Sequence, residues 1–209
     1  MIASYMKSSS LRIRLDGTQE QHARLLALQA AFAQVCNALA PVVQQNRCWN
    51  RVTLHHLAYK MLRERFPAVG SQMVCNAIYS VCHAARLAYQ HPASPINIAR
   101  LGSAPLPTLK FGENSPVYFD RHTLSVKESR LSMYTLDGRM RFDVALSAAD
   151  EERFHTEKLR EVVLARNAKG IFELSFWFVP DEESPEPMPL RGMDQQGHLP
   201  DYVRVEMPE

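Results

Sequence analysis

The sequence predicts an α+β protein: a basic helical bundle, a set of short antiparallel strands forming a small barrel or sandwich, and an acidic tail. Three observations predict it. Apolar residues recur at helical spacing between residues 18 and 90, short alternating segments take over from residue 115, and charge is unevenly divided along the chain. Residues 1–92 hold ten Lys or Arg against three acidic residues, a net +7. Residues 93–180 are close to balance at +1, and residues 181–209 carry −6. Such a split points to a front that faces a polyanion and a solvated acidic tail.

Taken in order, residues 11–15 alternate apolar and basic, which places Arg12 and Arg14 on one face of a short strand. Gly17 ends it, and Thr18 with Gln21 three residues on is a capping-box start. Leu25, Leu28, Phe32, Val35, Leu39 and Val42 then form one apolar stripe of a long helix. Pro41 predicts a kink or break near its end. A second helix is expected over 53–65 with Leu54, Leu57 and Met61 facing inward. Residues 66–70 turn the chain through Pro67 and Gly70. Ser71 is expected to cap a third helix reaching Gln90, with Val74, Ile78, Val81, Ala85 and Ala88 inside. Each helix has one sticky side, so a small bundle is the natural solution.

Residues 91–107 have no clean period and read as a connector. Strands are expected over 115–119, 123–127, 130–136 and 139–146, with Asp137-Gly138 as a two-residue hairpin. On the return strand Met140, Phe142, Val144 and Leu146 point one way, and Arg139, Arg141 and Asp143 the other. Ser147 with Asp150 caps a short helix. Two further strands, 159–166 and 171–179, flank a turn at 167–170, and Phe172, Leu174, Phe176 and Phe178 line one face of the second. From Asp181 the chain is acidic, Pro-rich and aperiodic, the composition of a disordered tail.

The polar stripe of the third helix is the most informative feature. Gln72, Asn76, Tyr79, His83, Arg86 and Gln90 follow one another at spacings of three and four. Amides, phenol, imidazole and guanidinium are the groups that reach base edges and phosphates. No Asp or Glu occurs between Glu64 and Glu113, whereas a merely solvated face usually mixes both signs. The preceding helix ends in Lys60, Arg63 and Arg65, and a short turn follows, so the pair resembles a helix-turn-helix. His55, His56, His83 and the four scattered cysteines do not have the spacing of a zinc site, so no metal and no cofactor are expected. No nucleophile or phosphate-loop motif is present, so no catalytic residue is assigned. The cysteines read as buried thiols of a reducing compartment. The polar start at residues 1–10 and the lack of a stretch approaching a membrane span point to a cytoplasmic protein with no membrane partner.

Residues 18–46, the turn at 63–72, Leu136-Asp137-Gly138-Arg139-Met140-Arg141 and Lys169-Gly170-Ile171-Phe172-Glu173-Leu174 together give a further expectation. Their order resembles the N-terminal half of TnpB proteins, the OrfB-type proteins of bacterial insertion sequences, related to type V CRISPR effector nucleases. The resemblance covers about residues 10–180 of the chain. It implies a wedge-like β-barrel (10–15 plus 105–180) interrupted by a recognition bundle (16–92), with 93–104 as linker and 181–209 as tail. It implies that the first strand pairs far downstream, and that these parts hold a guide RNA and help engage target DNA. The family's nuclease domain opens with a catalytic aspartate; here Arg191-Gly192-Met193-Asp194-Gln195-Gln196-Gly197 stands in that place, with Asp194 as a relic. The resemblance therefore implies the binding half without the cutting half.

The expected function is that of a nuclease-less nucleic-acid binder. Arg12, Arg14, Arg47, Arg51, Lys60, Arg63, Arg65 and Arg86 would contact phosphates. Trp49 and Tyr79 would stack on bases, and Gln72, Asn76 and His83 would read edges or riboses. RNA is the first expected partner and DNA the second. The alternatives are a subunit that docks a partner protein supplying the nuclease, a helix-turn-helix DNA-binding regulator, or a truncated transposon product.

Overall fold

The computed structural model describes residues 9–179 and 197–207. The chain begins with β1 (Ser9–Arg14), followed by α1 (Gln19–Asn46), α2 (Arg51–Arg65), α3 (Ser71–Gln90) and the single turn α4 (Ile98–Leu101). There follow β2 (Thr108–Phe111), β3 (Val117–Phe119), β4 (Leu124–Lys127), β5 (Arg130–Thr135) and β6 (Gly138–Asp143). The remainder is α5 (Ala148–Thr156), β7 (Lys158–Arg166), β8 (Phe172–Val179) and β9 (Val203–Glu206).

The α+β class is observed. The strands, however, do not close into a barrel among the described residues: they form three antiparallel sheets, β1-β8-β7-β3, β2-β9 and β4-β5-β6. β1 pairs with β8 along its whole length, Leu11 opposite Phe176 and Ile13 opposite Leu174. The helices α1, α2 and α3 thus enter the chain between β1 and the strands it completes. The buried side chains of helices and sheets form one contiguous cluster, from Leu25 and Phe32 through Val81 to Phe176 and Phe178.

Local chemistry explains the elements. Thr18 and Gln21 bond each other's backbone in a reciprocal capping box at the start of α1. Pro41 does not break this helix, which continues to Asn46. Pro41 forfeits one backbone bond, but Leu39, Ala40 and Val43 are buried around it and hold the turn. By length and composition α1 also qualifies as a membrane span, contrary to the expectation that no stretch approaches one. Its apolar side is part of the core, and half of the qualifying stretch is buried.

α2 begins two residues earlier than expected, because Asn50 accepts from the backbone N–H groups of Val52 and Thr53. Its inner face is Leu54, Ala58 and Leu62, not Leu54, Leu57 and Met61. The observed residues repeat at i+4, and the small Ala58 admits close packing that a larger residue would prevent. α3 begins after Gly70, which offers no side-chain cap in place of the expected Ser71. The hairpin of β5 and β6 turns through Leu136 and Asp137, one residue earlier than expected, with Gly138 next at φ +89°.

Two strands were not expected. Within the segment anticipated as a disordered acidic tail, residues 197–207 run back over the fold, and β9 pairs with β2, Val203 opposite Phe111. Gly197 lies so close to Ala93 that a Cβ would sit 2.0 Å from its carbonyl oxygen. The rest of that acidic segment, including Asp194, lies outside the described residues.

Candidate nucleic-acid interface

α3 is buried on nearly every side, between α1, α2 and β3. Its polar stripe is only partly sealed: Asn76 is buried, Gln72, Tyr79, His83 and Arg86 are half-buried, and Gln90 is exposed. Gln72 Nε2 donates to Asp120 Oδ2 at 2.6 Å, and Asn76 Nδ2 donates to the Tyr118 carbonyl of the edge strand β3 at 3.0 Å. Both amides are engaged inside the protein and are not placed to read base edges. α3, the helix that would enter a groove in a helix-turn-helix, packs against β3. α1 supplies comparable amides. Gln29 donates to Ser115 O, Gln44 to Leu106 O, and Asn37 both donates to Phe111 O and accepts from Phe111 N. These side chains pair backbone groups of Phe111 in β2 and of Leu106 and Ser115 in the segments leading into β2 and β3, which would otherwise be buried unpaired.

The upper half of the stripe forms a cluster with the sheet. The Tyr79 ring meets Tyr118 edge-on at 5.5 Å, and His83 lies 6.4 Å from Tyr118. Tyr79 is hydrogen-bonded to Glu161 on β7. Tyr118 is hydrogen-bonded to Tyr202, which precedes β9. Burial, with the Glu161 charge adding to it, pushes the Tyr79 phenol up to about 12. Burial likewise raises Tyr118 well above its ordinary value and Tyr202 to about 12, so all three phenols stay protonated. Burial, then the neighbouring Arg86 guanidinium, lowers His83 below its usual 6.5.

This last shift has a consequence for stability. As pH falls below about 6.5 the unfolded chain takes up a proton that the buried His83 resists. Its contribution is full above that value and declines as pH falls through it. Melting temperatures between about pH 7 and pH 5 should therefore drop less steeply in His83→Gln than in the wild type. Parallel curves for the two proteins would refute this.

Strand register extends the cluster into a strip. Arg12 on β1 is opposite Ser175 on β8, Ser175 is opposite Val163 on β7, and Val163 is opposite Tyr118 on β3. Paired residues point to the same face of a sheet, here the face away from Ile13, Leu174, Leu164 and Val117. The line continues from Tyr118 to Tyr79 and on to Arg51, whose guanidinium lies 5.6 Å over the Tyr79 ring. Trp177, opposite Ser10 and Glu161, stands beside it on the same face. Arg14, one pleat along, is opposite Glu173. Arg12 is 71% exposed and pairs with Glu173 at 3.8 Å, and Arg14 pairs with Asp16 at 2.8 Å.

Against known proteins, the chain matches no family model and no curated protein.

Of the residues expected to bind, the structure therefore brings together Arg12, Arg14, Arg51, Tyr79, His83 and Arg86. The others are dispersed. Trp49 packs on Tyr89 at 5.4 Å, and Arg47 caps α1 and reaches the Gly102 carbonyl. Arg63 is folded back onto the Val69 carbonyl, Arg65 lies over Phe66, and Lys60 is exposed on α2. Sequence reasoning missed Tyr118, Glu161, Ser175, Trp177 and Tyr202. Ser175 and Trp177 were detectable, because the alternation of Phe172, Leu174, Phe176 and Phe178 assigns the residues between them to the opposite face. Among the described residues no cluster of three or more His, Cys, Asp or Glu side chains is arranged to hold a metal ion. What the accessible part of this arrangement offers is the exposed guanidiniums of Arg12, Arg14 and Arg51 and the half-buried rings of Tyr79 and Trp177, with Tyr118 sealed beneath.

Proposed function

We propose that this chain binds nucleic acid along the strip from Arg12 to Arg51, with structured RNA as its first ligand and DNA as its second. The observation that carries the reading is the alignment of Arg12, Ser175, Val163, Tyr118, Tyr79 and Arg51 across four strands and two helices. Cations at either end, with the half-buried rings of Tyr79 and Trp177 between them and Tyr118 buried beneath, suit a backbone that crosses the strip with bases turned onto those two rings. The +7 of residues 1–92 supports it, since long-range attraction is set by the summed charge. The resemblance to the N-terminal half of TnpB proteins adds the kind of RNA, a guide-type structured RNA in a transposon- or CRISPR-related complex. On this reading the β1-containing sheet is the wedge-like module, and the chain works in the cytoplasm without cutting its ligand.

Gel retardation tests the proposal. A structured RNA, a single-stranded DNA and a duplex DNA are each titrated with protein at low and at near-physiological salt. RNA is expected to shift at low salt and to be released steeply as salt rises. If none of the three is retarded at low salt, the reading is wrong.

A further inference from the structure

Among the described residues, five large apolar side chains are exposed, and three of them, Val52, Leu57 and Met61, are on α2. Single exposed apolar residues are ordinary, but their concentration on one helix of 15 residues is not. Leu57 is 51% and Met61 36% exposed, one helical turn apart. The same i+4 row ends in Arg65, and Arg65 lines a groove of about 420 Å³ between α1 and α2. Ala38, Pro41 and Phe66 supply apolar walls to that groove, and Gln34 and Asn37 its polar ones. Leu57 and Met61 precede Arg65 on that row of α2, beside the groove rather than in its lining. This flank is opposite the one that carries Val52 and His55 toward α3, where the strip ends in Arg51.

We infer that this flank of α2 and the adjoining groove form a docking surface for an acidic amphipathic helix of a partner protein. Charge complementarity selects the occupant. Arg65 ends the apolar row and Lys60 stands to one side of it; Glu64, i+3 from Met61, is the sole acidic residue of α2, and α1 has no acidic residue after Glu20. A second copy seated here by two-fold symmetry would bring two basic flanks together, which disfavours it. A nucleic acid would satisfy Lys60 and Arg65 but leave Leu57 and Met61 without a match. A helix with Leu side chains at i and i+4 and carboxylates on either side satisfies both sets. The guanidinium of Arg65 lies over the Phe66 ring, 5.5 Å from its centroid, beside the groove that both residues line. The inference is independent of the nucleic-acid reading, because it uses neither the sheet nor Arg51.

The test is fluorescence anisotropy with a labelled synthetic helix bearing Leu at i and i+4 and Glu on its flanks. A matched helix with Lys in place of Glu serves as comparison. The full chain should bind the Glu helix saturably and the Lys helix at least about tenfold more weakly. Leu57→Ser with Met61→Ser should weaken the Glu helix about tenfold or more. Leu57 and Met61 are partly exposed, so the thermal melt should fall by only a few degrees, and that melt is the control that the variant stays folded. Lys60→Glu with Arg65→Glu should reverse the preference between the two helices. Absence of saturable binding, equal binding of both helices, or indifference to the Leu57 and Met61 changes would overturn the inference. Sedimentation showing a dimer that Leu57→Ser dissolves would assign the surface to a second copy instead. Displacement of the bound helix by RNA, in wild type but not in Lys60→Glu, would assign it to nucleic acid. Either result overturns the proposal.

Discussion

Replacing Asn37 and Asn76 together by alanine is expected to lower stability by about 4 kcal/mol, roughly 2 from each site. The side chain of Asn76 is the partner of the Tyr118 carbonyl, and that of Asn37 bonds both backbone groups of Phe111. Asn76, Tyr118 and Phe111 are all buried. Truncation leaves edge-strand backbone desolvated with no partner, and desolvation without compensation is the costly outcome. The two sites are on different helices and share no partner, so their effects should add. For a chain of this size the double variant should melt about 10 °C below the wild type. Gln34, exposed on α1, is the control, and Gln34→Ala should shift melting by no more than about 2 °C. If each single variant melts within about 2 °C of wild type, the amides do not support the sheet edges. The same experiment separates two roles for Asn76. As a base reader it would lower affinity and spare stability, whereas as an edge partner it does the reverse.

The helices were legible because their signals are local. The capping box at Thr18, the stripe from Leu25 to Leu39, and the turn at Pro67 and Gly70 lie within a few residues of what they specify. Alternation in β8 was legible for the same reason. What the sequence did not disclose depends on partners far along the chain. Leu57 and Met61 look like an inner face by apolarity, and only packing against neighbouring helices shows that Ala58 and Leu62 occupy it. The amides of α3 look like a recognition face until β3, some forty residues later, docks against them. β9 was illegible because its four residues lie in an acidic, Pro-rich context, and pairing with β2 alone makes them a strand. The candidate site divides along the same line. Its cations and Tyr79 were readable as residue types, but the register that aligns Arg12 with Tyr118 is set by the pairing of four strands.

Neutralising Arg12, Arg51 and Arg86 by glutamine in one variant is expected to lower RNA affinity about 100-fold at low salt, the loss of three phosphate contacts. For a single-stranded segment each contact contributes about 0.7 to the slope of log affinity against log salt, so the slope should become shallower by about 2. Folding should survive the first two changes. Arg12 is mostly exposed, with its acidic partner 3.8 Å away, and Arg51 is exposed at the start of α2. Arg86 is half-buried, so the melt of Arg86→Gln alone is the control for its part. Tyr79→Ala should cost a further tenfold or so through lost stacking without changing the slope, because stacking releases no counterions. The comparison that decides is Arg139→Gln with Arg141→Gln. Both arginines are exposed on β6, in a different sheet from the strip, and Arg139 lies 4.2 Å over the Tyr134 ring. That pair offers the same chemistry, a cation above an aromatic ring, in the wrong place. Its loss should change affinity less than about twofold. If it matches the strip variant in affinity and in slope, binding follows net charge alone, and the alignment from Arg12 to Arg51 has no part in it.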